Sequence, residues 1–394
     1  MTGAVHIKNT GLRGVTVADT RISFIDGGQG ILIYRGYRIE ELAEKSSFEE
    51  TAYLLLEGEL PDEGELNEFK LRIAGGRDIP DFLCDCLKRL PRSASPMDVL
   101  QASVPFLAAA DPEPADETRD ANVRKAIRLI ARMPALTAAW QRIRKGLEPL
   151  PPDSGLSHAE NFLWQLHGKR PDPSVARDLD VCLILHADHT FNASTFACRE
   201  VVSTGASLYA GASAGVGALS GPLHGGANAR VMKMLRELEP EKNIPAWVKE
   251  QLDLGRRIMG IGHAVYKTTD PRAKILREMS RRLGEKLGQP GWYELSARVE
   301  EAALAEFGRR GKTTLRPNVD FYSASVYHMM GIPDDLMTPV FTMSRIAGWC
   351  AHIIEEKFAE AQERPALYRP ESEYIGHYCG RMGCIYIPIE DRKR

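Results

Sequence analysis

Three segments of the chain each place an ionisable side chain among glycines or apolar residues, where it could take part in chemistry. In the first segment, His224 follows Gly221-Pro-Leu and precedes Gly225-Gly-Ala-Asn, and a helical pattern continues to Leu238. The positive end of a helix dipole disfavours an imidazolium ion, so His224 is expected to stay neutral and to donate a hydrogen bond. The paired glycines would let a ligand approach the backbone closely. On this segment alone, a structural histidine in a tight turn is an equally good interpretation.

The second segment, Ile258–Arg272, combines a histidine with two glycines and an arginine. Gly260 and Gly262 leave room for a bulky group along the main chain, and His263 follows them directly. Arg272 begins a helix just after a proline, which would place its guanidinium near the same cavity. A guanidinium can bind a carboxylate through two parallel hydrogen bonds. A solvated loop is the alternative, but the apolar residues of the segment argue against it.

The third segment places an acid at the start of a helical pattern. Asp320 lies between Val319 and Phe321. An acid in such a position is either an N-cap or a partly desolvated base with a raised pKa. Taken alone, this segment favours the N-cap.

Two arginines stand out against their surroundings. Arg345 interrupts the apolar and small-residue pattern of 340–350, and Arg369 directly precedes Pro370, which would end a helix. A long arginine side chain on a helix often just extends to solvent. Both arginines could instead bind a carboxylate.

One site assembled from these segments would hold two neutral imidazoles, one carboxylate and three guanidinium groups. That set suits a carbon–carbon condensation on a keto acid that carries two carboxylates. The carboxylate would remove a proton next to a carbonyl, one histidine would stabilise the enolate oxygen, and the other would polarise the ketone. The arginines would neutralise the carboxylates of the keto acid.

A metal site is the competing interpretation of a fourth segment. His186 and His189 are three residues apart and could share one face of a helix. No third ligand follows at a matching spacing, so no metal is predicted. A structural role is reasonable for His186 but less so for His189, because Asp188, Thr190 and other polar residues crowd around it.

The elements that must position these residues are mainly helices. Residues 21–34 read as a small β-hairpin with Gly27-Gly28 between its strands, and the pattern is helical almost throughout after that. Ser47 is predicted to form a capping box with Glu50, and Ser95 is predicted to be an N-cap followed by a proline at the first helical position. One buried stripe of a long helix is predicted at Val340, Met343, Ala347, Cys350 and Ile354. The fold class is therefore all-α with a token sheet, and a second lobe would have to be an insertion, because no linker divides the chain.

Composition limits the classes of protein that the chain can belong to. Its 394 residues exceed the usual size of a single core, and a net charge of -2 argues against a nucleic-acid-binding protein. No apolar run is long enough to span a bilayer, and no secretory signal is visible at the start. Seven cysteines, among them the pairs Cys84/Cys86 and Cys379/Cys384, suggest structural or incidental thiols in a reducing compartment. A cytoplasmic enzyme is expected.

Four of these segments, in this order and spacing, resemble the signature segments of the citrate synthase family. They are 186–195, Gly221–Asn228, Met259–Arg272 and Pro317–Ser323, and the likeness covers nearly the whole chain. The resemblance implies an all-α, two-domain homodimer that joins acetyl-CoA to oxaloacetate and then hydrolyses the thioester to citrate and coenzyme A. It implies a large domain of residues 1–224 and 326–394 and an inserted small domain of 225–325. Coenzyme A enters as part of a substrate, so neither cofactor nor metal is implied.

The resemblance also assigns roles to individual residues. His224 matches the histidine that orients acetyl-CoA, His263 the histidine at the oxaloacetate carbonyl, and Asp320 the catalytic base. Oxaloacetate and citrate ligands are matched by His189, Arg272, Arg345 and Arg369, the last supplied by the partner subunit. The coenzyme A chain would lie along Ile258, Met259, Gly260, Ile261 and Gly262.

Small departures from the family pattern leave the choice of thioester open. Ala229 stands where the family usually has glutamate, and Ser95 stands where it often has histidine. Ala324, with Met329-Met330, is somewhat like the 2-methylcitrate synthases, which would use propionyl-CoA. Acetyl-CoA is the predicted substrate, and propionyl-CoA is the alternative. A non-catalytic helical scaffold that kept the fold, or a metal-dependent hydrolase, are the rival predictions from other classes.

Overall fold

The computed structural model describes residues 11–12, 14–238, 243–376 and 382–392. These residues form a mainly helical fold with one small sheet, as the sequence predicts. The strands are β1 (Ser23–Asp26), β2 (Ile31–Tyr34) and β3 (Tyr37–Arg38). The α-helices are α1 (Ile39–Lys45), α2 (Phe48–Glu57), α3 (Glu63–Gly75), α4 (Asp81–Arg89), α5 (Pro96–Ala109), α6 (Arg119–Arg144), α7 (His158–His167), α8 (Pro173–His186), α9 (Ala193–Ser203), α10 (Leu208–Ser220), α11 (Ala227–Glu237), α12 (Ile244–Asp253), α13 (Pro271–Lys286), α14 (Gly291–Arg309), α15 (Val319–Met329) and α16 (Met337–Lys357). Short 3₁₀ turns lie at Asp334–Leu336 and Ile389–Asp391.

The predicted hairpin is present and contacts a segment that is distant in sequence. Strands β1 and β2 pair antiparallel with Ser23 opposite Tyr34, and β3 extends the sheet. The tip of the hairpin touches the loop that follows His263: the Lys267 N–H donates to the Gly27 carbonyl at 2.8 Å. A Cβ at Gly27 would lie 2.3 Å from the Val265 carbonyl oxygen, so only glycine allows this approach.

Helix α16 lies at the centre of the core and packs against α2, α6, α8, α9 and α10. The five predicted stripe residues are all buried, but so is nearly every other residue from Met337 to Glu356. The prediction of a single buried stripe was therefore too narrow, because helices surround α16 on all sides. Gly348 allows the closest of these approaches, since a Cβ there would lie 2.3 Å from the Ala187 carbonyl oxygen.

The predicted helix starts are found, although only one of the two serines caps through its side chain. The Ser47 side chain accepts a hydrogen bond from the Glu50 N–H at 3.2 Å. Ser95 precedes α5, with Pro96 at the first helical position, but its hydroxyl makes no capping bond. Helix α5 therefore starts on the fixed backbone of the proline rather than on a side-chain cap.

Helices α11 to α15 pack largely on one another, with α13 on α15, α11 on α15 and α12 on α14. The division into a large domain and an inserted small domain remains a prediction. Over the described ranges, no helix is both long and apolar enough to cross a membrane.

Cysteines 84, 86, 182, 198 and 350 are free thiols, as predicted. Cys384, however, is disulfide-bonded, so the expectation of a free thiol was wrong there. Cys379, the other member of that predicted pair, lies outside the described residues.

Candidate active site

One cleft of about 660 Å³ collects almost all of the predicted site residues. It is lined by the three predicted catalytic side chains, His224, His263 and Asp320. Around them lie His189, Arg272, Arg345 and the whole of the segment from Ile258 to Gly262. Segments that are far apart in sequence therefore converge on one small volume. A second cleft of about 680 Å³, between α2, α3, α7 and α8, contains none of them.

His224 lies two residues before the N-cap of α11 and is fixed by α9. The Ser194 N–H donates to His224 Nε2 at 3.2 Å, and the Ser194 hydroxyl oxygen lies 2.8 Å from the same nitrogen. Because Nε2 accepts a hydrogen bond, a neutral His224 carries its proton on Nδ1. Burial, with the nearby Arg345 cation, lowers the pKa of His224 to about 4. The ring is therefore neutral, as predicted, and burial is the larger of the two causes.

His263 is oriented by backbone groups two and three residues further along the chain. Its Nδ1 accepts hydrogen bonds from the Val265 and Tyr266 N–H groups, at 3.0 and 3.2 Å. The proton of the neutral ring is consequently on Nε2. Burial and the Arg272 cation lower the pKa of His263 to about 4. The two histidines thus present opposite ring nitrogens as hydrogen-bond donors.

Asp320 is not the cap of its helix, so the N-cap interpretation of its segment was wrong. Asn318 caps α15, and its side-chain oxygen accepts the Asp320 N–H at 3.0 Å. The Asp320 carboxylate is left for another role. Burial raises the pKa of Asp320 to about 6, although Arg272 opposes this shift. A carboxylate with that pKa is a stronger base than an ordinary aspartate, and most of it is still ionised at pH 7.

The glycine segment is tied to the start of α15. Gly260 and Gly262 both have positive φ, +76° and +99°, which other residues rarely adopt. The Asn318 N–H donates to the Gly260 carbonyl, and its side-chain amide donates to the Gly262 carbonyl, both at 2.9 Å. A Cβ at Gly260 would lie 2.9 Å from Phe321 Cα. The segment is therefore held against the helix that carries Asp320.

The two buried arginines of the cleft differ in their partners. Arg272 donates to Asp270 through Nε and Nη2, at 3.0 and 2.8 Å. Arg345 donates through Nε to the His186 carbonyl at 2.7 Å, and its guanidinium lies over the ring of Phe341. Among the described residues, no carboxylate lies within ion-pair distance of Arg345. Burial lowers the pKa of Arg345 to about 10.

His189 is the most deeply buried imidazole of the cleft. Its ring centre lies 5.2 Å from that of His263, and its Nε2 has no hydrogen-bond partner among the described residues. Burial and Arg272 hold its pKa well below the usual value, so it is neutral. His186 does not line the cleft; its Nδ1 bonds the Cys182 carbonyl one helical turn earlier. Within the part of the chain that the structure describes, no three metal-ligating side chains are placed to hold a metal ion.

Arg369 is the one predicted site residue outside the cleft. It lies exposed in the segment that follows α16, next to Tyr368. This position gives it no contact with the cleft of its own chain. Its predicted contribution to the site of a partner subunit therefore remains a prediction.

Sequence reasoning missed the residues that hold the functional groups in place. Ser194 fixes the tautomer of His224, and Asp270 fixes the guanidinium of Arg272. Asp270 could have been noticed, since Asp-Pro is a common start of a helix. Arg230, on the first turn of α11, also lines the cleft and was not singled out.

Comparisons with known proteins show which family this chain is similar to. The family described as citrate synthase, C-terminal domain, matches residues 11–371. A citrate synthase from Haloferax volcanii is 46% identical over 97% of this chain and 98% of its own length. A 2-methylcitrate synthase from Mycobacterium tuberculosis is 39% identical over 93% of this chain and 90% of its own length.

Solved structures show the same fold. The citrate synthase of Pyrobaculum aerophilum superposes with a TM-score of 0.88 at 39% identity, covering 97% of this chain and 95% of that one. A ternary complex of carboxymethyl coenzyme A and oxaloacetate with citrate synthase from Thermoplasma acidophilum gives a TM-score of 0.86 at 34% identity, covering 96% and 98%. This chain therefore belongs to the citrate synthase family.

Proposed function

We propose that this enzyme condenses acetyl-CoA with oxaloacetate and hydrolyses the resulting thioester to citrate and coenzyme A. The observation that carries this proposal is the shared cleft. It brings one carboxylate of raised pKa and two neutral imidazoles together with buried guanidinium groups. This is the set of groups that the condensation requires, a base, two hydrogen-bond donors and cations for a dianionic substrate.

Enolisation would be carried out by Asp320 and His224. The Asp320 carboxylate removes a proton from the methyl group of the thioester, and the C–H electron pair moves toward the carbonyl oxygen. His224, whose Nε2 is occupied by Ser194, donates its Nδ1–H to that oxygen. Because the ring is already neutral and carries its proton on Nδ1, it can stabilise the enolate oxygen through a hydrogen bond.

Carbon–carbon bond formation would be directed by His263 and the arginines. The nucleophilic carbon attacks the ketone of oxaloacetate, and the electron pair of that carbonyl moves to its oxygen. His263 Nε2–H donates a hydrogen bond to this oxygen, while His189 Nε2 offers a further polar contact. Arg272 and Arg345 bind the carboxylates. The resulting alkoxide takes up one proton, which balances the proton that Asp320 removed. In the second step, the oxygen of water bonds to the thioester carbon, the C–S bond breaks, and a proton of that water passes to the sulfur, which leaves as the thiol of coenzyme A.

The coenzyme A chain would run along Ile258–Gly262, where the two glycines expose the backbone. Neither a metal nor an organic cofactor is needed in this proposal, because side chains supply the base, the donors and the positive charge. These roles are carried over residue by residue from the family resemblance, and the geometry of the cleft supports them.

We also propose a cytoplasmic homodimer in which Arg369 completes the site of the partner subunit. Two features support this arrangement: Arg369 lies outside its own cleft, and the C-terminal segment exposes many large apolar side chains. They are Leu367, Ile375, Met382, Ile385, Ile387 and Ile389. Apolar side chains at this density are typical of a surface that a partner covers.

Measuring the release of free thiol tests the proposal directly. Oxaloacetate with acetyl-CoA is expected to give turnover, and oxaloacetate with propionyl-CoA to give a lower kcat/KM. One methylene in an apolar pocket is worth about 1–3 kcal/mol, so the preference should be about 10- to 200-fold. A higher kcat/KM with propionyl-CoA would make this a 2-methylcitrate synthase. No thiol release with either substrate would contradict the proposal.

A further inference from the structure

A buried network of charged side chains adjoins the turn that carries His189, and the proposed chemistry does not use it. Arg199 of α9 forms ion pairs with Glu355 and Glu356 of α16, at 2.7 and 2.6 Å. The same guanidinium lies 3.2 Å from Nδ1 of His352, whose Nε2 lies 3.3 Å from Asp188. All five side chains are at most 1% exposed. Burying this many charged side chains costs free energy, so packing alone does not account for the network.

One end of the network fixes the turn that carries His189. Asp188 accepts a hydrogen bond from the Thr190 N–H at 2.9 Å and another from the Ser23 hydroxyl. Its backbone N–H and carbonyl both bond the Tyr34 hydroxyl, at 3.0 and 2.8 Å. Thr190 has a positive φ of 49°, a strained conformation for a β-branched residue. Asp188 holds that strained turn in place, and His189 lies between the two residues.

The hydrogen bonds within the network have a defined direction. A guanidinium has donors only, so His352 Nδ1 must accept from Arg199. The proton of His352 is then on Nε2, the nitrogen that faces Asp188. Arg199 thereby sets which nitrogen His352 presents to Asp188.

The other end of the network reaches the residue next to Arg369. The Tyr368 hydroxyl donates to Glu356 at 3.0 Å, and the Tyr368 N–H donates to the Ser203 hydroxyl at 3.3 Å. The Tyr368 ring also packs edge-on against Phe196 of α9. The backbone that presents Arg369 is thus anchored on the same carboxylate that pairs with Arg199.

We propose that Arg199 and His352 are positioning residues that couple the oxaloacetate-binding turn of one subunit to the segment with which that subunit completes the site of its partner. This inference rests on the proposed function, in particular on the role of Arg369. A subunit whose Tyr368 anchor is released is then expected to lose oxaloacetate affinity in its own cleft as well as in that of its partner. A network that only stabilises the fold would lower the unfolding temperature and leave the oxaloacetate KM unchanged.

Two variants test the network in the homodimer. His352→Gln removes the ring that links Arg199 to Asp188, and Tyr368→Phe removes one hydroxyl from a half-buried side chain. Loss of one charge-assisted hydrogen bond is expected to raise the oxaloacetate KM about tenfold in each variant, with the pH profile of kcat/KM unchanged. The matched control is Tyr209→Phe, which removes the hydroxyl that donates to the buried carboxylate of Asp111, a pair that is not part of this network. Its unfolding temperature should fall comparably while its KM stays constant.

Mixed dimers separate the effect within a subunit from the effect on its partner. One subunit carries Asp320→Asn, so that only the other cleft turns over. Tyr368→Phe is then placed either on the active subunit or on the inactive one. We expect a raised oxaloacetate KM in both arrangements. If the KM rises only when the substitution is on the inactive subunit, Tyr368 anchors Arg369 but the coupling is refuted.

Failure of this inference is distinguishable from failure of the proposed function. An unsubstituted enzyme without thiol release would defeat the function itself. An active enzyme in which both His352→Gln and Tyr368→Phe keep the original oxaloacetate KM would defeat only the coupling. If Tyr368→Phe does not fold, His352→Gln takes its place in the two mixed-dimer arrangements, and a KM that rises only when His352→Gln is on the active subunit refutes the coupling.

Discussion

The two buried arginines of the cleft, Arg272 and Arg345, illustrate two ways of placing a cation in a protein interior. Arg272 has a full ion pair with Asp270 before any substrate arrives, and its pKa is raised. Arg345 has only a carbonyl and an aromatic ring, and burial lowers its pKa to about 10. The charge of Arg272 is therefore part of the fold, whereas the charge of Arg345 awaits an anion. Asp320 belongs with Arg345, since its charge is also poorly compensated in the free enzyme.

The largest expected effect is that of Asp320→Asn. Without a base, kcat should fall about 10²- to 10⁴-fold, while oxaloacetate binding, measured by calorimetry, is retained. The substitution should also raise stability at pH 7. The folded pKa of Asp320 is about 6, above its ordinary value of 3.8. The free energy of unfolding therefore falls as pH rises from the ordinary pKa to the folded pKa, and an asparagine avoids this loss. Near-normal turnover would remove Asp320 from the role of base.

Arg272→Met should have the opposite effect on stability. It leaves Asp270 buried without its counter-ion, which typically costs about 3–5 kcal/mol of unfolding free energy. Chemical denaturation measures this loss. The double variant Arg272→Met/Asp270→Asn should recover much of it, because the uncompensated charge is gone. An unfolding free energy within error of the unsubstituted enzyme would contradict the assignment of Arg272 as a structural cation.

Arg345→Met sharpens the contrast, because it should weaken binding without loss of stability. A charge-assisted hydrogen bond to the substrate, worth about 1.5–3 kcal/mol, would be lost. The KM for oxaloacetate should therefore rise roughly 10- to 150-fold. The midpoint of chemical denaturation should stay the same or rise, since an unpaired buried cation is removed. A large fall in stability would show that Arg345, like Arg272, has a structural partner.

The pH dependence of kcat/KM tests the uncompensated carboxylate in the unsubstituted enzyme. Asp320 must be ionised to act as a base, so kcat/KM should fall as pH drops through about 6, by about tenfold per unit below it. His224 and His263 remain neutral down to a pH of about 4 and should not contribute a step above that. A profile that stays flat to pH 5 would contradict the raised pKa.

Ser194→Ala should have the smallest effect. His224 would lose its contact with the Ser194 hydroxyl and keep the bond from the Ser194 N–H, so kcat should fall about tenfold or less. No single side-chain substitution should affect His263 in this way, because the backbone N–H groups of Val265 and Tyr266 orient its ring. A loss as large as that of Asp320→Asn would mean that the hydroxyl does more than orient the ring.

The fold class and the convergence of the site were predicted well from the sequence, because both rest on hydrophobic periodicity and on the order and spacing of motifs along the chain. It failed where two neighbouring residues compete for one local role: Asn318, two residues before Asp320, takes the cap. It also failed for partners that are distant in sequence, such as Ser194 and His224. The tautomer of His224 depends on that contact, and no spacing rule predicts it. The prediction for α16 was too narrow because a pattern of burial says nothing about how many neighbours surround a helix.

The contact between Gly27 and the loop after His263 bears on how the enzyme matures. Positions 27 and 267 are 240 residues apart, so the hairpin leaves the ribosome long before the loop exists. Contacts between such distant segments are slow to form, because the intervening chain must be ordered first. We expect the hairpin to dock late in folding. The enzyme should therefore become active only after most of its secondary structure has formed. Partly folded chains would then be unable to hold His263 in its reactive orientation.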